Sequence, residues 1–332
     1  SGDTEPLDVE MKKILIVGAG GQIGSELVPH LRSIYGNSNV VAADISAEKC
    51  KALAEAGPFE ELNALDGEGF SAIVKKYNID TIFNLVALLS ATGEKNPKLA
   101  WDINIGALTN SLYIAKDNNC AVFTPSSIGA FGNDTPKDKT PQDTLQRSNT
   151  TIYGVCKVTG ELLSDYYFHR FGVDTRSVRF PGLISYVTLP GGGTTDYAVE
   201  IYYDAIRKGS FTCNVKEGTY MDMMYMPDAL NAVVQLMEAD PSKLKHRNSF
   251  NIASMSFEPE QIAAEIRKHI PDFKMDYQID PVKQAIANSW PNSMDDTCAR
   301  EEWGWAPKFD LTSMTNDMLI KVKEKFDKGL IK

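Results

Sequence analysis

Short apolar runs alternate with longer amphipathic stretches through the first 180 residues. Lys13-Ile-Leu-Ile-Val17 opens the series. Comparable runs near 39–43, 59–63, 80–86, 120–124 and 173–179 read as strands covered on both faces. Between them, apolar residues spaced three and four apart predict helices near 22–35, 46–56, 67–77, 97–118 and 151–171. Such alternation predicts an α/β fold, a doubly wound parallel sheet with helices on both faces. Pro29 falls inside the first helix, where it removes a backbone bond and favours a kink. After Pro181 the pattern changes. Gly191-Gly-Gly193 reads as a flexible link, a helix is expected over 195–208, and short strands then mix with helices to the end. The expected division is 11–180 as the main domain and 181–332 mostly as a smaller mixed α/β lobe, with 225–252 returning to the main sheet. Residues 1–10 are polar or acidic and precede Met11, which reads as a disordered stub or an appended remnant.

Composition narrows the partners. A hydrophobic content of 43% is ordinary for a globular chain. Lys and Arg number 34 against 44 Asp and Glu, and a net charge of −10 argues against nucleic acid or an anionic membrane. No apolar run reaches the length of a membrane span. The five cysteines, at 50, 120, 156, 213 and 298, form no disulfide framework, which fits a reducing compartment. The four histidines are far apart in sequence, and no metal site is expected.

The chemistry starts where the first strand ends. Glycines stand at 18, 20, 21 and 24, between a strand and a helix. That is the setting of a dinucleotide fingerprint, the Rossmann fold's phosphate turn. Gly18 permits the tight turn, Gly21 lets the backbone approach a pyrophosphate, and Gly24 lets helix and strand pack closely. Free N–H groups at the helix start then face the phosphates. Asp44 ends the second strand. A carboxylate there accepts from the adenosine ribose hydroxyls and repels a 2′-phosphate, so NAD is favoured over NADP; capping the next helix is the alternative role. Asp66, after the third strand, can accept from the adenine amino group or cap helix 67–77.

The fifth strand runs into Phe123-Thr-Pro-Ser-Ser127, at the end of the sheet that faces the cofactor crevice. Downstream, Tyr153 and Lys157 lie one helical turn apart on a shared face. A free tyrosine titrates near pH ~10, so it is a poor base alone. A neighbouring ammonium favours the phenolate. Lys157 can also hold the nicotinamide ribose, and Ser127 can orient a substrate hydroxyl and stabilise charge on its oxygen. Ser90, after the fourth strand, can reach the crevice. Thr194 follows three glycines, so its loop can close over a substrate; a plain linker and an N-cap are the alternatives. Trp290 and Trp303 read as core residues. Arg179 can meet a carboxylate or form a buried ion pair.

These residues resemble the extended short-chain dehydrogenase/reductase family. Pro125-Ser-Ser-Ile-Gly-Ala-Phe-Gly132 resembles its serine strand end, and Arg179-Phe-Pro-Gly182 its segment beside the nicotinamide. Relatives such as UDP-galactose 4-epimerase carry Tyr before the final glycine, where this chain has Phe131. Counting back four from that aromatic selects Ser127 over Ser126. A narrower likeness covers nearly the whole chain. Ala87-Leu-Leu-Ser-Ala-Thr-Gly-Glu-Lys-Asn-Pro97, Pro190-Gly-Gly-Gly-Thr-Thr-Asp-Tyr-Ala198, Asp222-Met-Met-Tyr-Met226, Asn288-Ser-Trp-Pro, Asp295-Asp-Thr-Cys-Ala-Arg300 and Trp303-Gly-Trp305 are similar to the short-chain type of L-threonine 3-dehydrogenase.

That resemblance implies NAD-dependent oxidation of the L-threonine 3-hydroxyl to 2-amino-3-oxobutyrate, which goes on to aminoacetone or to glycine and acetyl-CoA. It implies catalysis by Ser127, Tyr153 and Lys157. Cofactor contacts would come from Gly18, Gly21, Gln22, Ile23, Gly24, Asp44, Asp66, Leu85, Tyr153, Lys157, Pro181 and Leu183. Substrate contacts would come from Ser90, Ser127, Tyr153 and Thr194. It further implies a homodimer paired through helices 97–118 and 151–171, in the mitochondrial matrix of a eukaryote or otherwise the cytoplasm. Two rivals stand beside it. A nucleotide-sugar epimerase or dehydratase needs basic residues for a diphosphate, and 183–215 offers only Arg207 and Lys208. A non-catalytic dinucleotide sensor usually lacks the Tyr or the Lys, and both are present.

Overall fold

Ile14–Val17 carries no polar side chain, and all four residues are buried as β1, in the middle of a sheet covered on both faces. A computed structural model describes residues 10–332, so nearly all of the stub read at 1–10 lies outside the described residues. From β1 the chain runs through α1 (Gly24–Tyr35), β2 (Val40–Asp44), α2 (Lys51–Ala56), β3 (Phe59–Glu61), α3 (Gly67–Lys76), β4 (Thr81–Asn84), α4 (Ser90–Lys95), α5 (Pro97–Asn118), β5 (Ala121–Phe123) and β6 (Ser126–Ser127). Next come α6 (Ile152–Phe171), β7 (Thr175–Arg176), β8 (Val178–Phe180) and β9 (Gly182–Ile184). The remainder is α7 (Tyr197–Lys208), β10 (Ser210–Cys213), β11 (Met221–Tyr225), α8 (Met226–Glu238), β12 (Phe250–Asn251), β13 (Met255–Phe257), α9 (Pro259–Arg267), β14 (Lys274–Tyr277), α10 (Pro281–Ser289), α11 (Thr297–Trp303) and α12 (Leu311–Asp327).

The main sheet has the order β3-β2-β1-β4-β5-β7, every pair parallel, as the strand–helix alternation predicts. A separate three-stranded sheet, in the order β12-β8-β6, is also parallel. One core layer joins β1 and β2 to α1 and α8 through Ile16, Leu27, Leu31, Val233 and Leu236. The opposite layer joins them to α3 and α5 through Leu15, Phe70, Leu108 and Leu112. A third hydrophobic cluster gathers around Tyr197, Tyr202, Phe257 and Met318, and β9, β11 and β13 form one small sheet and β10 and β14 another. No described helix is long and apolar enough to cross a membrane.

Three of the elements predicted in the first 180 residues differ for a clear local reason. The helix expected over 46–56 begins only at Lys51. Asp44 Oδ1 accepts from Ser46 N and Ser46 Oγ from Lys49 N, and such side-chain bonds replace a helical first turn. The strand expected over 173–179 is interrupted at Ser177. There the N–H turns to Arg247 O and the hydroxyl donates to Thr124 O. The strand expected to reach 86 stops at Asn84, and the chain beyond it enters the crevice. Pro29 does lie inside α1, and the helix continues through it.

Candidate functional site

A cavity of about 510 Å³ opens at the carboxyl ends of β1, β4 and β6. That is where an open α/β sheet takes its ligand. Its floor is the glycine turn. Gly18 has φ +83°, in the left-handed region, and donates its N–H to Ala43 O at 3.0 Å. A methyl group on Gly24 would lie 2.5 Å from Gly18 O, so α1 rests directly on the turn. Ile23, the N-cap of α1, makes no side-chain capping bond, and because Ser25, Glu26 and Leu27 bond back to Gly21 O and Ile23 O, the N–H groups left to meet an anion are those of Gln22, Ile23 and Gly24. Gly18, Gly21, Gln22, Ile23, Gly24, Leu85, Pro181 and Leu183 all line the cavity. Within that close-packed turn, the N–H groups of Gln22, Ile23 and Gly24 fit a dinucleotide pyrophosphate.

Asp44 holds the turn from the side. Its Oδ2 accepts from Gly20 N at 2.8 Å and its Oδ1 from Ser46 N at 2.8 Å. It caps no helix, since α2 starts further on. Asp66 does cap one: its Oδ1 accepts from Gly69 N at 3.0 Å at the head of α3, and it does not line the cavity.

The opposite wall carries Ser127, Tyr153 and Lys157. Helix α6 presents the pair, and its start is pressed against the turn after β6. A methyl group on Gly154 would lie 2.6 Å from Gly129 O, and one on Gly129 would lie 3.1 Å from the Tyr153 ring and 3.4 Å from Ser127 Oγ. Glycine at both positions therefore lets the tyrosine stand beside the serine. Ser127 Oγ accepts from Gly129 N at 3.0 Å, which leaves its own hydrogen to donate. Lys157 Nζ donates to Pro125 O at 2.8 Å and lies 5.2 Å from the Tyr153 ring centre. Ser126 is turned elsewhere: its hydroxyl donates to Glu161 Oε2 at 2.6 Å.

Over the crevice lies the glycine segment. Thr194 and Ser90 are both buried, and their hydroxyl oxygens are 3.0 Å apart across 104 positions of sequence. Thr194 is not an N-cap. Helix α7 starts at Tyr197 rather than 195, and Asp196 precedes it. Asp196 reaches backward, where its Oδ2 accepts from Gly192 N at 3.1 Å and Gly193 N at 2.9 Å. Burial pushes its carboxyl up, and the Gly193 N–H, Lys283 and the Gly192 N–H oppose that shift.

Asp196 and Trp290 also line the cavity, and neither was selected from sequence. The signal for Asp196 was present, since an Asp just after glycines commonly bonds backbone N–H groups. Trp290 is 6% exposed, its indole N–H has no partner, and it packs with Ile128 and Phe131. Arg179 proves to be a buried ion pair. Its Nη2 is 2.9 Å from Glu161 Oε1, and its Nη1 donates to Gln142 O and Asn251 Oδ1. Glu161 was also missed, because a glutamate within a helix reads as a solvated face.

Residues 14–253 match the NAD dependent epimerase/dehydratase family. An uncharacterized epimerase/dehydratase of Staphylococcus haemolyticus is 58% identical, over 95% of this chain and 99% of its own length. Among solved structures, the L-threonine dehydrogenase of Clostridium difficile is 57% identical, with a TM-score of 0.93 over 95% of this chain and 99% of its own. A metagenome-derived L-threonine 3-dehydrogenase, described as monomeric, is 43% identical, with a TM-score of 0.90 over 94% and 99%.

Proposed function

This chain belongs to the NAD dependent epimerase/dehydratase family, and within it we propose that it oxidises the 3-hydroxyl of L-threonine to 2-amino-3-oxobutyrate. The observation that carries this reading is the lining of the cavity. Its only cationic side chains among the described residues are Lys49, by the glycine turn, and Lys157. A nucleotide sugar's diphosphate would have no cationic partner on the substrate side. Instead the roof offers two small hydroxyls, Ser90 and Thr194. A dinucleotide would fill much of this cavity of about 510 Å³, which favours a small polar substrate beside it. The likeness to L-threonine dehydrogenases points the same way.

When bound, NAD supplies the hydride acceptor. Ser127 donates to the substrate's 3-oxygen and holds it beside Tyr153. The Tyr153 phenolate takes the hydroxyl proton, and the Lys157 ammonium stabilises that phenolate. Asp44 meets the adenosine ribose and disfavours a 2′-phosphate. Thr194, brought over by its glycines, bonds the substrate and excludes water. An adenine contact from Asp66 stays a proposal that its capping bond does not require. Pairing of two copies through α5 and α6 belongs to this reading too. Leu99, Trp101, Leu162 and Tyr166 are exposed on those helices, and sedimentation velocity would report a single monomeric species if the pairing is wrong. The curated relative is bacterial, which lends the mitochondrial alternative no support; the cytoplasm is the proposed location.

Turnover followed at 340 nm is the direct test. NAD with L-threonine should react, NADP much less, and NAD with a UDP-hexose should not. Activity on the sugar nucleotide without activity on threonine would replace this reading with the epimerase one. Thr194→Ala should lower kcat/KM for threonine roughly tenfold to a hundredfold, the loss of one desolvated hydrogen bond worth about 1–3 kcal/mol. Affinity for NAD should be nearly unchanged. Wild-type kinetics in that variant would reduce the glycine segment to a linker.

A further inference from the structure

Away from the crevice, two chain segments bring together a donor set that catalysis does not use. Cys298 and Glu302 are four residues apart on α11, so they share a face. His246, from the stretch leading into β12, lies against that face. Its Nδ1 is 2.6 Å from Glu302 Oε2, and Glu302 Oε1 accepts from Lys245 N and His246 N. One donor atom from each of His246, Cys298 and Glu302 lies within 4.8 Å of the others, a grouping found once among the described residues. None of the three lines the cavity that contains Tyr153.

We propose that His246, Cys298 and Glu302 form a binding site for a borderline divalent cation of the zinc type. Imidazole nitrogen, thiolate sulfur and carboxylate oxygen together select such an ion, and three protein ligands leave a fourth, tetrahedral position for water. Tetrahedral coordination with metal–ligand distances of about 2.0–2.3 Å sets donors about 3.3–3.8 Å apart, so His246 Nδ1 and Glu302 Oε2 would part by under an ångström or so, while donors now up to 4.8 Å apart would draw in by about an ångström.

A second feature points to the same ligand. His246 Nε2 is 3.1 Å from Asp143 Oδ2, on the long connection between β6 and α6. A carboxylate on the far nitrogen of an imidazole fixes its tautomer and aims the near nitrogen's lone pair at a metal. Cys298 differs from its fellows as well: the other four cysteines are buried and it is partly exposed. Binding releases two protons to water, one from the Cys298 thiol and one held between His246 Nδ1 and Glu302. The bound ion would pin α11 to the chain before β12 and, through Asp143, to the connection that packs beside Ser127 and Tyr153.

Cobalt(II), added to chelator-treated full-length protein, gives the readout. One ion per chain should bind with a near-ultraviolet thiolate-to-cobalt band, and Zn²⁺ should displace it. Cys298→Ser should abolish the band, and Asp143→Asn should weaken binding about tenfold to a hundredfold. Absence of saturable binding, or a band that survives Cys298→Ser, overturns the site. A measurement on the wild type alone guards against a misfolded variant. Zn²⁺ should slow alkylation of Cys298, mapped by mass spectrometry, at least roughly tenfold, because a coordinated thiolate is a poor nucleophile. An unchanged alkylation rate in saturating Zn²⁺ likewise overturns it.

Discussion

Tyr153→Phe is expected to lower kcat about a hundredfold to ten-thousandfold, the usual contribution of a positioned acid–base group, with NAD affinity intact. The reasoning is geometric. The Tyr153 ring is held beside Ser127 by close packing at Gly129 and Gly154, and phenylalanine keeps that packing. Only the hydroxyl is lost, so the variant should fold, bind NAD in a fluorescence titration and fail at proton transfer. Single-turnover kinetics separate this from slow product release, since the chemical step itself should be slow. A variant that turns over threonine within threefold of wild type would remove Tyr153 from the role of base, whatever the family likeness suggests.

The second large effect concerns stability. Arg179 and Glu161 are both nearly inaccessible, with side-chain exposures of 6% and 3%, and the carboxylate also accepts from Ser126 and Gln146. Arg179→Ala leaves a buried carboxylate with hydroxyl and amide partners only. The expected loss is about 3–5 kcal/mol of unfolding free energy, the cost of breaking a buried pair from one side. That is a large share of the roughly 5–15 kcal/mol typical of a folded chain. The double variant Arg179→Met with Glu161→Leu removes both charges at similar volume and should recover most of the loss, read as the urea midpoint. Equal destabilisation by the single and double variants would show that packing, rather than the unpaired charge, sets the cost. Because the Ser126 hydroxyl donates to this pair, Ser127 is the serine of the two whose hydroxyl hydrogen is left to donate elsewhere.

Much of this was legible in the sequence, because a two-sided sheet leaves a plain record. Strands such as Ile14–Val17 must be apolar throughout, and the turn between β1 and α1 must be glycine where a methyl group would lie 2.5 Å from a carbonyl. Tyr153 and Lys157 were readable because a helix converts their spacing into a shared face. Elements settled by local side-chain competition were not, as with the delayed start of α2 at Ser46 and Lys49. Pairings over long separations were not readable either. Nothing near Glu161 announces that Arg179 will neutralise it, and nothing near Ser90 names Thr194. Asp196 was passed over because its partners are backbone N–H groups, which every residue but proline has.

The Ser90–Thr194 contact makes the protein its own competitor. One of the two hydroxyls gives its hydrogen to the other, and that bond must be replaced by any ligand that displaces it. Binding at the roof is therefore an exchange reaction, and net affinity is the small difference between new hydrogen bonds and the one broken. A molecule of the right size but lacking well-placed polar groups would face a standing penalty before any contact with the catalytic residues. Selectivity at this site thus takes the form of a threshold, met by groups that can occupy both hydroxyls at once. Ser90→Ala and Thr194→Ala should then be non-additive in their effect on substrate discrimination, since either change dissolves the same internal rival.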